Sequence, residues 1–472
     1  MNTIKQYQKF DNKNHDWPQI CVIFLVTLTA FTTSALFAWL SPSIPILTSN
    51  SSHIESITLE QASYFSVITP ISSIIASPLI AFYVEKIGRK YVIAMISVPQ
   101  ILSWLLTGVA KNLTVLYISR VLSGISDAIM FCVVPAYIGE ISTPKVRGTW
   151  GNLIIINLYL AQFMVNIVGA YLDVPTTAFI FMSVPIIQVV LWLFVPESPY
   201  FLITKKRLEE AKHALKLLRW NEDVEDEFHT LTKDVSRQML EQGRIRDLFV
   251  IATNRKALLI SITMRLCQQF SGLSAIIVYT QYIFLLAGGN LSASSSAIIY
   301  SGVLFAMASI CSFVVDKLGR RHLMIFSSIG TAIALFVEAI YFFLLFETDM
   351  DVTNFSWVPL AGMMLYIFTC TCGLGILPTL MLSELFSTSI KSKAVCVVNM
   401  WFSISVIVTP KLFQTLSSNY GIHVPFTVFG ICAVFSVVFS YLFIPETKGK
   451  TLEEIQQMLT KKSILKTTTE NA

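Results

Sequence analysis

A chain of 472 residues in which 54% are apolar or aromatic and only 13% are charged is too poor in charge for water to be its only solvent, and a bilayer is the natural second one. The formal net charge of +5 is placed so as to orient helices and is not gathered into a basic face, which excludes a nucleic-acid partner. The eight cysteines all lie in apolar runs and suggest no disulfide framework. Cys370 and Cys372 lack the histidine or further cysteine that would close a ligand set, so neither a metal nor another cofactor is expected.

Residues 1–19 are polar, and the apolar run that follows has no short h-region ending at a small-residue cleavage site. No removed signal peptide is expected, and the first span anchors itself. A membrane helix needs about 20 mostly apolar residues. Twelve stretches qualify, near 20–40, 62–84, 91–110, 113–138, 150–171, 177–195, 257–287, 294–315, 322–346, 355–382, 394–416 and 423–444. The expected fold is therefore an all-α membrane protein, with a six-helix half over 20–195, a second over 257–444, a soluble stretch at 196–256 and a tail at 445–472. The seventh stretch is long enough to be tilted or broken, which its Ser271-Gly272 step permits.

Two signals orient the chain. Of the 34 basic residues, all but Lys111, Arg120, Arg265 and Lys411 fall in segments that share one side if both termini are cytoplasmic, as the positive-inside rule requires. The N-x-Ser/Thr sequons at Asn50, Asn112, Asn290 and Asn354 all fall in loops assigned to the other side, where glycosylation takes place. Within 196–256, Leu208, Ala211, Leu215 and Leu218 recur at helical spacing, which predicts short amphipathic helices under the membrane.

The two halves are copies of each other. Glu85-Lys86-Ile87-Gly88-Arg89-Lys90 after the second span returns as Asp316-Lys317-Leu318-Gly319-Arg320-Arg321 after the eighth. Glu140 precedes Arg147 after the fourth span as Glu384 precedes Lys391 after the tenth, and Pro196-Glu197-Ser198-Pro199 returns as Pro445-Glu446-Thr447-Lys448. Duplicated six-helix halves are a transporter plan in which a solute is held near mid-membrane while the halves rock. The repeated acids and bases are expected to pair between helix ends and bias the two states; the alternative reading is that they are turn and orientation charges.

These motifs, together with Arg120, Pro135, Tyr137 and Gly148 and with Gln268-Gln269-Phe270-Ser271-Gly272, resemble the sugar porter branch of the major facilitator superfamily over nearly the whole chain. Within it the chain looks most like the facilitated trehalose carriers of insects. The resemblance implies an alternating-access carrier of a sugar, trehalose or a hexose, at the plasma membrane, with the lipid bilayer as its surroundings and no obligate protein partner. It implies solute contacts from Gln268 and Gln269, whose amides suit a hydroxyl that both donates and accepts, and from Ser274, Tyr279, Leu304 and Thr379. Gating is expected of Glu85, Arg89, Arg120, Glu140, Arg147, Glu197, Asp316, Arg320, Glu384 and Lys391. The chain departs from the family where Ser274 and Leu304 stand in place of the usual Asn, and where Ile376 and Thr379 replace the usual Pro and Trp.

Asp127, Arg265 and Glu338 are also intramembrane charges; the family pattern does not supply Asp127 and Arg265, and Glu338, in the ninth span, is given no role. Asp127 is two turns from Arg120 and could pair with it or carry a proton; in proton-coupled relatives the coupling acid is in the first span, where Leu40 stands here, so facilitated diffusion leads over proton symport. Arg265 is expected to snorkel to the inner interface, with recognition of an anionic solute as the other reading. No enzyme is indicated, because none of the six histidines lies well inside a span and no nucleophile or acid pair stands out. A non-transporting solute sensor on the same fold is the remaining alternative.

Overall fold

The structure, a computed structural model, describes residues 15–49, 52–240, 245–289, 291–314, 319–350, 352–386, 390–448, 450, 454–455 and 457–458. Asn50, Asn290 and Asp316 lie outside the described residues. Among the described residues there are helices and no strands, and twelve helical segments are long and apolar enough to cross a membrane. In an apolar solvent each backbone N–H and C=O must find its partner within the segment, and the α-helix achieves this. Large apolar side chains such as Ile75, Leu79, Phe82, Leu193 and Phe194 are exposed, as expected where lipid is the surrounding solvent.

Several of the spans depart from single straight helices or from the expected ends. The first, Trp17–Leu47, is two helices, Trp17–Ala38 and Leu40–Leu47. The fifth starts at Pro144, because Thr143 caps a short helix, Pro144–Trp150, whose Lys145 and Arg147 hide it from a hydropathy reading. The seventh is broken at the Ser271-Gly272 step into Ala252–Phe270 and Leu273–Ala287. Gly272 holds φ at +90° there, and a Cβ would meet the Phe429 ring at 2.8 Å, so glycine is required twice over. The tenth runs Val358–Cys370, loosens to a π-turn at Thr371–Gly375 and resumes as Leu377–Leu385. The eleventh helix, Lys391–Tyr420, carries Pro410 inside it.

By internal contact the chain divides into two compact units. One comprises Met1–Phe37, His53–Glu55 and Ile68–Gln242; its core joins the first, third and fourth spans through Ile23, Val26, Ile93, Ile96, Met130 and Val134. The linker helices Leu208–Arg219 and Glu225–Leu240 belong to this unit. The buried stripe of the first is Ala211, Ala214, Leu215 and Leu218; Leu208, expected on it, is the first residue of the helix and is exposed. Arg219 fastens them: its Nε meets Glu227 at 2.8 Å, and its Nη1 donates to the Ile141 carbonyl at 3.0 Å.

The other unit comprises Ala38–Ser52, Ser56–Val67 and Gly243–Ala472, so the far ends of the first two spans group with the later spans. Its core is aromatic: Tyr279 stacks on Phe413 at 5.1 Å between ring centroids, Phe342 on Phe426 at 5.5 Å, and Phe413 meets Phe426 edge-on. Cys372, on the tenth-span π-turn, lies with its Sγ 3.3 Å from that of Cys311 on the eighth span, while Cys370 is buried apart from it. No group of three or more metal-ligating side chains occurs among the described residues.

Candidate solute site and charged clusters

The repeat in the sequence becomes a repeat in three dimensions. In the first unit, the Glu140 carboxylate at the end of the fourth span accepts from Arg89 Nε at 3.2 Å and Nη2 at 3.0 Å, and from the Ser198 hydroxyl at 2.5 Å. Glu197 accepts from backbone N–H groups of Arg89 and Lys90, each at 3.1 Å, and from its neighbour Ser198 at 2.8 Å. Gly88 lets the chain come this close: its φ is +113°, and a Cβ there would lie 2.3 Å from Glu197 Oε2. The Arg89 guanidinium also stands over the Phe201 ring at 5.0 Å.

The second unit builds the same cluster from the second copy of each motif. Arg320 donates to Glu384 Oε1 from Nη2 at 3.0 Å, Thr447 donates to Glu384 Oε2, and Glu446 accepts from the backbone N–H groups of Arg320, Arg321 and Lys448. Arg89 thus corresponds to Arg320, Glu140 to Glu384, Glu197 to Glu446 and Ser198 to Thr447. Glu446, Ser198 and Thr447 were not among the expected gating residues. Their signal was the Pro-Glu-Ser/Thr repeat, but a carboxylate whose partners are backbone N–H groups of a distant loop cannot be paired by reading side chains.

The two equivalent glutamates differ electrostatically. Burial pushes the Glu197 carboxyl above the usual carboxylate range, and its backbone donors and Arg89 only partly offset this. At Glu446 burial acts in the same direction, but the backbone N–H groups of Lys448, Arg320 and Arg321, with His322 3.7 Å away, outweigh it and hold the carboxyl below that range.

Several expected gating residues stand elsewhere. Glu85 and Arg147 are exposed and form no ion pair among the described residues, and Lys391 is half-buried at the start of the eleventh-span helix. Arg120 lies 20 residues before Glu140 on one helix, about 30 Å along it at 1.5 Å per residue, so it has no part in the cluster. It is fully buried and gives its guanidinium to the Leu36 carbonyl at 2.6 Å and to the Thr107 and Ser119 hydroxyls. Asp127, which could have faced it, makes no ion pair with it, and the Asp127 Oδ1 is buried without a hydrogen bond. Glu338 is fully buried against Gly362, where a Cβ would lie 2.3 Å from its Oε1.

On the seventh span, both amides of the expected solute pair are buried at the helix break. Gln268 donates from Nε2 to the Gly375 carbonyl on the tenth-span π-turn at 2.7 Å and accepts from Arg265 Nη1 at 3.0 Å. Gln269 accepts from the Ser274 hydroxyl at 2.5 Å. The break puts these residues side by side and frees backbone that a continuous helix would consume. Tyr279 is buried in the aromatic core, Leu304 is buried in the eighth span, and Thr379 is exposed on the tenth; none is hydrogen-bonded to the amides. Arg265 does not snorkel. Its head bonds the residue one turn further on, away from the helix end that carries Arg255 and Lys256.

Comparison with known proteins agrees with this architecture. A family profile described as "Sugar (and other) transporter" matches residues 43–459. The facilitated trehalose transporter Tret1 of Drosophila virilis is 30% identical over 460 residues, covering 97% of this chain and 50% of that protein. Tret1 of Bombyx mori is 29% identical over 455 residues, covering 96% of this chain and 89% of that one. The chain spans about half the length of the Drosophila relatives it matches. Among solved structures, the inward open conformation of the xylose transporter XylE from E. coli superposes with a TM-score of 0.75 at 19% identity, covering 93% of this chain and 99% of that one. XylE bound to 6-bromo-6-deoxy-D-glucose, described as a proton:xylose symporter, gives 0.72 at 19% identity, covering 94% and 100%. At that identity the likeness shows the fold, which is the twelve-helix major facilitator fold expected from the sequence. With its family profile matched over residues 43–459, this multi-pass membrane protein belongs to the sugar (and other) transporter family.

Proposed function

We propose that the chain is a facilitative carrier that moves a sugar, trehalose or a hexose, across the plasma membrane by alternating access, with both termini in the cytoplasm. The observation that carries the reading is the Gln268–Gln269 amide pair at the break of the seventh span, tied through Gly375 to the π-turn of the tenth. Both ends of the Gln268 amide are spent on protein partners here. A solute hydroxyl that replaced either bond would loosen the contact between two interrupted helices, which couples binding to movement. The names of the relatives support a sugar as the cargo.

The two charged clusters act as latches in this reading, since each ties three helix ends and can be remade at a cost of a few kcal/mol. The charge asymmetry of the sequence supports a cytoplasmic position for them, and the exposure of Asn112 and Asn354 supports glycosylation on the other side. Nothing in the reading calls for a cofactor, an enzymatic step or a protein partner. A proton-coupled version has one observation in its favour, the buried and unbonded Asp127 Oδ1.

Gln268→Leu keeps the size of the side chain and removes the Gly375 and Arg265 bonds. It is expected to lower sugar uptake by reconstituted protein about tenfold or more, the loss of one or two hydrogen bonds. Uptake unchanged at equal reconstituted amounts would remove Gln268 from the solute site.

A further inference from the structure

Three basic side chains lie inside spans, and their surroundings differ in kind. Arg120 is met by a carbonyl and two hydroxyls. Lys411 donates to Ser63 and Gln414 at 3.0 Å, lies 4.0 Å from the Glu60 carboxylate and stands over the Tyr64 ring. Among the described residues Arg265 has one acceptor, the neutral Gln268 Oε1, and its guanidinium lies 4.8 Å from the centroid of the Phe402 ring. It is 8% exposed, its Nε is buried without a hydrogen bond, and no carboxylate pairs with it among the described residues.

A cation in this setting is under-compensated. An aromatic face and one amide oxygen offset part of the desolvation of a guanidinium, while an opposing carboxylate in a low-dielectric site offsets far more. Holding Gln268 in place explains little of this, because a neutral donor would hold one amide oxygen without bringing a full charge into the membrane. Escape to the interface is ruled out by direction, since the head turns toward Gln268. The Nη1 corner is occupied and the Nε–Nη2 edge carries no hydrogen bond, and that edge is the fork a carboxylate engages with two parallel bonds.

Beside this unanswered charge, the site is thin in groups for a neutral sugar. The Gln268 Nε2 is given to the Gly375 carbonyl, and the Gln269 Oε1 is taken by Ser274. We propose that Arg265 is the charge-recognition residue of the solute site and that the preferred cargo is a sugar acid, a polyol bearing one carboxylate. The carboxylate meets the Nε–Nη2 edge of Arg265, while its hydroxyls meet the amides of Gln268 and Gln269. The inference rests on the assignment of Gln268 to the solute site, and it narrows the cargo from sugars in general to the anionic ones.

The test uses full-length protein in liposomes, with labelled glucuronate and labelled glucose at equal concentration. Glucuronate is expected to enter about tenfold faster or more, the value of one charge-assisted fork. An inside-positive potential of about 60 mV is expected to raise glucuronate accumulation about tenfold and leave glucose unaffected, since one charge crosses with the acid alone. Arg265→Gln is expected to cut the glucuronate-to-glucose ratio about tenfold, and Arg265→Lys, which keeps the charge without the fork, to fall between. Glucose moved as well as glucuronate, with no effect of potential, would overturn the inference and leave the carrier standing. Neither solute moved by protein that is folded by its thermal transition would overturn the carrier reading and the inference with it. The wild-type ratio and its response to potential decide the matter even if a variant fails to fold.

Discussion

Glu197 and Glu446 hold the same place in two copies of one motif, yet burial prevails at the first and backbone donors at the second. The difference has a pH signature. A native carboxyl held below its unfolded value adds stability that is present above the carboxylate range and is lost as pH falls through it. One held above its unfolded value opposes folding once ionised, and acid relieves it. Glu446→Gln is therefore expected to lower the thermal midpoint at neutral pH more than Glu197→Gln does, with the gap closing as pH is lowered to about 4. Midpoints of both variants measured against wild type across that range check this, and equal losses at every pH would contradict it. The motifs announced these glutamates, but their opposite balance was not legible, because it depends on how deeply two similar loops fold over two similar carboxylates.

Elements were legible where a single physical property governs them. Bilayer thickness fixes the length of an apolar run, so the twelve spans could be read directly, and Ser271-Gly272 marked the break in the seventh. The fifth span began earlier than expected because a Thr-capped turn carrying Lys145 and Arg147 looks like a loop to hydropathy. The π-turn of the tenth was hidden for another reason. It is set by a neighbouring helix: Ser327 accepts from the Leu374 N–H at 2.9 Å, and a Cβ at Gly373 would lie 2.4 Å from the Ser327 Cβ. The same turn brings Cys372 to Cys311, a pair that no spacing in the chain suggests. Mild oxidation with copper phenanthroline is expected to join these two thiols within one molecule, seen as their simultaneous loss from maleimide labelling and its restoration by reductant. Labelling of both after oxidation would mean that the eighth and tenth spans do not meet there.

At the scale of the whole molecule, duplication is the feature from which the rest follows. The two repeats carry two copies of one charged cluster, and on the seventh span Gln268, Gln269 and Arg265 gather at a helix break. The clusters hold the ends of helices, and the amides sit where helices are interrupted. Legibility at this scale was high for the plan and low for the chemistry. The repeat is written in the motifs, whereas the occupation of the Gln268 amide by the Gly375 carbonyl required the tenth span to be placed beside the seventh. Facilitated movement of a sugar is the central claim, and uptake of labelled trehalose, glucose and fructose into liposomes holding the purified protein, with and without an inward proton gradient, tests it most directly. Saturable uptake of at least one of these sugars, at the same rate with the gradient and without it, is the predicted result; uptake that requires the gradient, or none from folded protein, would contradict it.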